Sequence, residues 1–145
     1  MNPIPVKKLR EGARLPAYGS AGAAGADLYA CLEADVTIAP GGDAWVPTGL
    51  SMEIPAGYAG LVYARSSLGA KRGLAPANKV GVIDSDYRGE IMVVLHNHSA
   101  VPQTVSPGER VAQLVITPVY TPEYRMSDDL AQTDRGAGGF GSTGK

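Results

Sequence analysis

Apolar and polar positions alternate with a period of two along parts of the chain. Leu50, Met52 and Ile54 are separated by Ser51 and Glu53, the pattern of a strand with one face in a core and the other in water. Two segments, Ile91 to Leu95 and Val111 to Ile116, are apolar almost throughout and predict strands covered on both faces, in a sandwich or at a subunit interface. Pro40-Gly41 and Pro107-Gly108 mark turns. Among 19 Gly and 11 Pro, the stretches free of both and longer than ten residues are Ala26 to Ala39, Glu90 to Val101 and Glu123 to Arg135. Little room is left for helices of ordinary length, so the prediction is an all-β domain. From Arg135 to Lys145 nearly every second residue is Gly, with Phe140 the lone aromatic. This predicts a β domain over 1–134 and a flexible Gly-rich C-terminal arm over 135–145.

Composition narrows the functions open to such a domain. A chain of 145 residues is the size of one domain with one core. Its 13 basic and 14 acidic residues leave a net charge of -1, which argues against a broad surface for nucleic acid or anionic lipid, so any anion site must be local. Cys31 is the one cysteine; it excludes an internal disulfide framework and a thiolate metal cluster and points to a reducing compartment, the cytoplasm. The longest apolar runs, Leu28 to Leu32 and Ile91 to Leu95, fall far short of the ~20 residues of a membrane helix. No signal-peptide core follows Met1. A soluble protein is expected.

Four polar islands stand out from this pattern. In Tyr63-Ala64-Arg65-Ser66-Ser67-Leu68-Gly69 an apolar strand runs into Arg-Ser-Ser, and a single helical turn can begin over Leu68 to Lys71. Backbone N–H groups, two hydroxyls and a guanidinium would converge there on a phosphate, unless the serines simply cap a turn. The second island, Asn78 to Glu90, places two acids and Tyr87 between two apolar strands, the pattern of a hairpin. Asp86 and Gly89 suit its turn, whereas Asp84 follows the strand end Val82-Ile83, where a carboxylate beside apolar walls can hold and deprotonate a water. Tyr87 is either a cross-strand packing residue or a platform for a sugar or base. Gln113, the one polar residue between Val111 and Ile116, is a satisfied core amide or one aimed into a polar site.

The fourth island is the arm. Gly139 to Lys145 matches the outline of a P-loop but is not continued by Ser or Thr or by a helix, so that reading is rejected. What remains is a disordered terminus or a segment that curls around an anion, with Arg135, Ser142 and Thr143 as donors and Phe140 as an aromatic face. His96 and His98 share a face at a spacing that can bind metal, yet no third ligand joins them and a structural role fits better.

Taken together, these islands resemble the five motifs of the trimeric dUTP diphosphatases, the dUTPases, in the family's order. They are Ala24-Gly25-Ala26-Asp27-Leu28-Tyr29-Ala30, Arg65 to Gly69, Gly81-Val82-Ile83-Asp84-Ser85-Asp86-Tyr87-Arg88-Gly89, Gly108 to Leu114, and Arg135 to Gly144. Many members have Gly where Ser67 stands. The resemblance implies a jelly-roll-like β domain assembled as a homotrimer with active sites shared between subunits. It implies hydrolysis of dUTP to dUMP and pyrophosphate by water attack on the α-phosphorus, which keeps uracil out of DNA and supplies dUMP for dTMP synthesis. By the same resemblance Asp84 would be the base, and Arg65, Ser66, Ser67 and Gln113 would hold phosphates. Asn78 and the backbone around Val82, Ile83 and Met92 would bond uracil, while Tyr87 would pack on the deoxyribose. Another subunit's arm would bring Phe140 to the base and Arg135, Ser142 and Thr143 to the terminal phosphates. Asp27 would organise the water shell of Mg²⁺. The alternatives are a dCTP deaminase of the same architecture and a non-catalytic trimeric binding module.

Overall fold

The structure is a computed structural model that describes residues 3–139. Within these residues the chain forms twelve strands and one six-residue π-helical turn, Ser67–Arg72, as the density of Gly and Pro predicts. The largest sheet has the order β2-β3-β12-β7-β9: Ala17–Tyr18, Ala26–Tyr29, Arg110–Pro118, Tyr58–Tyr63 and Gly81–Ile83. A second sheet places β10 (Met92–Asn97) between β5 (Asp43–Pro47) and β8 (Leu74–Pro76). Two ribbons complete the fold, β1 (Val6–Lys8) on β6 (Leu50–Met52) and β11 (Gln103–Val105) on β4 (Val36–Ile38). Every pair is antiparallel.

One core joins the sheets. Leu28, Val62 and Leu114 enter it from the five-stranded sheet and Val46, Leu74, Val93 and Leu95 from the three-stranded one. Leu28, Leu74 and Leu95 are wholly buried, each contributing about 2 kcal/mol in apolar area removed from water.

Three expectations change. The hairpin across Asp84 to Glu90 is not formed: β9 pairs with β7, and β10 is taken on its two edges by β5 and β8. The segment 84–91 therefore crosses from one sheet to the other. The runs Ile91 to Leu95 and Val111 to Ile116 are not covered on both faces within one chain. In β10, Val93, Leu95 and Asn97 are buried while Met92, Val94 and His96 are half-exposed, and in β12 Gln113, Val115 and Ile116 are half-exposed. Finally, Ser51 is buried like Leu50 and Met52, because its hydroxyl donates to the Arg88 carbonyl at 2.8 Å.

Asn97, which no pattern singled out, closes the open end of β10. It is fully buried, its Nδ2 donates to the carbonyls of Ile38 (2.9 Å) and Val101 (2.8 Å), and its Oδ1 accepts from Ser99 N–H (3.0 Å) and Oγ (2.7 Å). Replacing it by Leu leaves the Ile38 carbonyl and the Ser99 N–H without this partner, while the Val101 carbonyl keeps the Ser99 hydroxyl at 2.9 Å, and we expect Asn97→Leu to lose about 3 kcal/mol or more in urea unfolding. A loss below about 1 kcal/mol would mean that water re-satisfies those groups.

Candidate functional site

One rung of the five-stranded sheet begins the site: Gln113 on β12 stands opposite Asp27 on β3 and Tyr63 on β7. Gln113 Nε2 donates to the Ala64 carbonyl at 2.9 Å, fixing the chain where β7 runs into Arg65. This approach requires Gly25, since a Cβ there would meet Gln113 Oε1 at 2.5 Å. Beside it the Asp27 carboxylate, 13% exposed, accepts Arg65 Nε at 2.7 Å on one oxygen and Arg110 Nη1 at 3.3 Å on the other. Arg65 Nη1 reaches Ser67 Oγ at 3.2 Å. Of the two open readings of Gln113, the half-buried amide is bonded and also sits in the polar cluster.

The Arg-Ser-Ser island leads into the π-helical turn. Buried Leu68 anchors it, Gly69 N–H bonds the Arg65 carbonyl at 2.9 Å, and Gly73, at φ 68°, ends it with its N–H on the Leu68 carbonyl. Ser66 makes no side-chain capping bond, so the simple cap is not what this residue does. Ser66 and Ser67 are exposed, and among the described residues the one non-glycine at positive φ is Lys79, so serine at 67 carries no backbone strain. The arrangement presents two guanidiniums and two hydroxyls in one place, a set suited to phosphate oxygens.

A second group lies around the start of the 84–91 crossing. A pocket of about 270 Å³ is lined by Asn78, Val82, Ile83, Asp84, Tyr87 and Met92, all of which the sequence singles out. Asp84 and Asn78 are exposed in the single chain, and Val82 is 64% exposed. β9 is an edge strand of its sheet, so the backbone along its outer side has no ladder partner among the described residues. Tyr87 Oη donates to the Glu90 carbonyl at 2.9 Å. Trp45, Val94 and Glu90 also line this pocket and were not found by sequence reasoning. Trp45 sits across the ladder from Val94, 70% exposed, and only the pairing of β5 with β10 brings it here.

These two groups do not meet within one chain. Ile83 stands opposite Gly60, and Gly60 lies roughly 16 Å of extended chain before Arg65, so Asp84 and the phosphate-suited cluster fall at opposite ends of the β7–β9 pair. Arg135 is exposed and its Nε donates to the Gly138 carbonyl at 2.8 Å. Phe140, Ser142 and Thr143 lie outside the described residues. His96 Nδ1 is bonded to Asp43 at 2.6 Å and its ring stacks on His98 with centroids 6.2 Å apart.

Among the described residues no three His, Cys, Asp or Glu side chains gather as a metal cage. That suits Mg²⁺, which keeps its waters and is commonly held through substrate phosphates with one or two carboxylates. Asp27 is the carboxylate in the phosphate-suited cluster, and each of its oxygens keeps a lone pair beyond the bonds to Arg65 and Arg110. The residues present therefore fit the ion as a companion of a nucleotide.

Comparison with known proteins places this arrangement. The family model for dUTPase matches residues 11–144. The chain is 50% identical to a deoxyuridine 5'-triphosphate nucleotidohydrolase of Desulfitobacterium hafniense, with 99% of both chains covered. It is 52% identical to the protein of that name from Burkholderia mallei, over 90% of this chain and 89% of the other. Among solved structures, a point mutant of the Staphylococcus bacteriophage 80alpha dUTPase with dUpNHpp superposes with a TM-score of 0.91 at 28% identity over 100% of both chains. A point mutant of the dUTPase from phage phi11 of S. aureus, whose structure reveals the coordination of a structural Mg(II) ion, gives 0.82 at 25% identity over 90% of this chain and 100% of the other. With a match that runs through the Asp27–Arg65 cluster and the Asp84 pocket alike, the chain belongs to the dUTPase family.

Proposed function

We propose that the phosphate-suited cluster of one subunit and the Asp84 pocket of another form the site in which dUTP is hydrolysed to dUMP and pyrophosphate, in a homotrimer of jelly-roll-like domains. The separation of the two groups along β7 and β9 is the observation that supports this most, because neither half has both a base and a phosphate grip. Exposed apolar surface supports assembly. Trp45 shares a face with half-exposed Met92 and Val94, and past β12 Tyr124 and Met126 are 91% and 97% exposed, more than a lone domain ordinarily leaves in water.

In this reading Arg65, Ser66 and Ser67 bind phosphate oxygens, and Gln113, whose amide has a second hydrogen, both fixes Ala64 and donates to the substrate. Asn78 and the open edge of β9 at Val82 and Ile83 bond the uracil edge, with Met92 beside them in the pocket. Tyr87 packs on the deoxyribose where a 2′-hydroxyl would collide. Asp84 holds a water and takes its proton as the water oxygen bonds to the α-phosphorus, and the bond from that phosphorus to the bridging oxygen breaks to release pyrophosphate. A third contribution is the 135–145 arm of a neighbouring subunit, which brings Phe140 over the base and Arg135, Ser142 and Thr143 to the terminal phosphates, where Arg135 offsets charge building on the leaving group. Asp27 would hold the waters of a Mg²⁺ ion bound with the triphosphate, and that ion would supply further neutralisation of phosphate charge. One cysteine, half-buried at Cys31, suits a reducing compartment such as the cytoplasm.

No observation favours the rivals. A dCTP deaminase needs an acid that aims water at C4 of the base, and a binding module has no use for Asp84, Gln113 and the arm together. Assaying pyrophosphate release from dUTP and dCTP alongside ammonia separates the three: pyrophosphate from dUTP without ammonia is expected, whereas ammonia from dCTP or no turnover would reject the proposal. Asp84→Asn should retain affinity for a non-hydrolysable dUTP analogue while kcat drops by about 10²-fold or more, since an amide orients a water but does not take its proton. Near-normal turnover in that variant removes Asp84 as the base. Deleting Arg135 to Lys145 should leave the melting point and assembly unchanged, because Gly-rich chain has little apolar area to contribute, and should lower kcat/KM for dUTP at least about tenfold. An unchanged kcat/KM would return the arm to a disordered terminus.

A further inference from the structure

Arg10 lies outside the five motifs, just past β1, and forms a two-pronged pair with Glu90: Nε to Oε1 at 2.9 Å and Nη2 to Oε2 at 2.9 Å. The planar guanidinium fits a carboxylate in this geometry, which an ammonium does not reproduce. Glu90 Oε1 also accepts the Gly49 N–H at 2.8 Å, and the Gly49 carbonyl accepts the Leu9 N–H at 2.8 Å, so the N-terminal segment, the β5–β6 turn and Glu90 close into one ring of bonds. The Arg10 guanidinium, helped by the Gly49 N–H and opposed by partial burial, holds the Glu90 carboxyl below the usual carboxylate range. Glu90 is thus charged at neutral pH, and the pair persists until pH falls through that lowered value.

The ordering passes from Glu90 to Tyr87. Tyr87 is 46% exposed, so side-chain packing alone does not hold its ring. Its hydroxyl bonds the Glu90 carbonyl, and its ring lies so close over Gly89 that a Cβ there would overlap it. Between them the Arg88 carbonyl is tied to Ser51, and the Ile91 N–H beyond donates to Leu50 at 2.8 Å. The far end of the 84–91 crossing is therefore fastened by its backbone, with Glu90 the charged member of the fastening.

We propose that Arg10 and Glu90 are positioning residues for Tyr87: their pair fixes the carbonyl to which the Tyr87 hydroxyl bonds, and so sets how closely the ring stands to the position a 2′-hydroxyl would take. The pair thereby tunes discrimination of deoxyribonucleotide from ribonucleotide, an inference that rests on the role given to Tyr87 above. Arg10 does not line the pocket, and its loss leaves the Glu90 side chain, 17% exposed, without its cation, so the melting curves should record some loss of stability while the specificity ratio reports the positioning role.

The test measures kcat/KM for dUTP and UTP in the wild type, Arg10→Ala, Glu90→Gln, Tyr87→Ala and the Arg10→Ala/Tyr87→Ala double variant, with melting curves for each. Tyr87→Ala must lower the dUTP-to-UTP ratio; if it does not, the role of Tyr87 is wrong and the clamp falls with it. Given that drop, Arg10→Ala and Glu90→Gln should each reduce the ratio about fivefold, Arg10→Ala should keep dUTP turnover within about twofold, and Arg10→Ala should add nothing once Tyr87 is absent. A ratio unchanged in Arg10→Ala, even with a lower melting point, or the same further loss in the double variant, overturns the clamp and leaves the role of Tyr87 standing.

Discussion

Because β12 has ladder partners on both edges, the rung Asp27, Gln113 and Tyr63 sets where the phosphate-suited cluster can form. A one-residue slip of β12 would turn Gln113 from that cluster into the core and bring the buried Ala112 or Leu114 out in its place. The register is enforced from both sides, by Leu114 and Ala112 in the core and by the Gln113 amide on the Ala64 carbonyl, which only a glycine at 25 admits. Once it is set, Arg65 leaves β7 within reach of Asp27, and a carboxylate that is mostly buried holds two guanidiniums in a fixed relation. A preorganised guanidinium loses less freedom on meeting a phosphate than a free one, which is how a structural pair on one rung becomes part of a binding site.

Much of this was legible in the sequence where the causes are local. Gly and Pro punctuate the chain, so the absence of long helices followed directly, and the polar islands at Arg65 to Ser67 and Asn78 to Tyr87 marked the residues that the fold gathers into two groups. Features that depend on distant partners were not legible. The strands flanking Asp84 look like a hairpin because they are close in sequence, but the free edge of β7 captures β9 while β5 and β8 occupy β10. Ser51 alternates as a solvent residue yet is buried by its bond to Arg88, 37 residues away. Asn97, Trp45 and Glu90 are ordinary residues in their local pattern, and each has its role through a contact with another sheet or turn.

The same contrast underlies the proposal of a site divided between subunits. Within one chain the acid and the phosphate grip are kept apart by the length of the β7–β9 pair, and no adjustment of side-chain rotamers spans that distance. A symmetric assembly removes the difficulty without changing the fold, since each subunit then offers its acid to one neighbour and its grip to the other. The apolar face around Trp45 and the exposed side chains after β12 are the surface such an assembly would cover.

Subunit mixing tests this most directly. Asp84→Asn subunits keep the phosphate grip and lack the base, whereas Arg65→Ala subunits keep the base and lack the grip, so each alone should be inactive. Unfolded together in equal amounts and refolded, random trimers would join an intact Asp84 to an intact Arg65 at about a quarter of the sites. The account predicts recovery of dUTP hydrolysis to roughly that fraction of wild type, with no recovery when the two are refolded apart and then mixed without exchange. A co-refolded trimer containing both subunits and showing no activity above the separate variants would mean that each site is built within one chain.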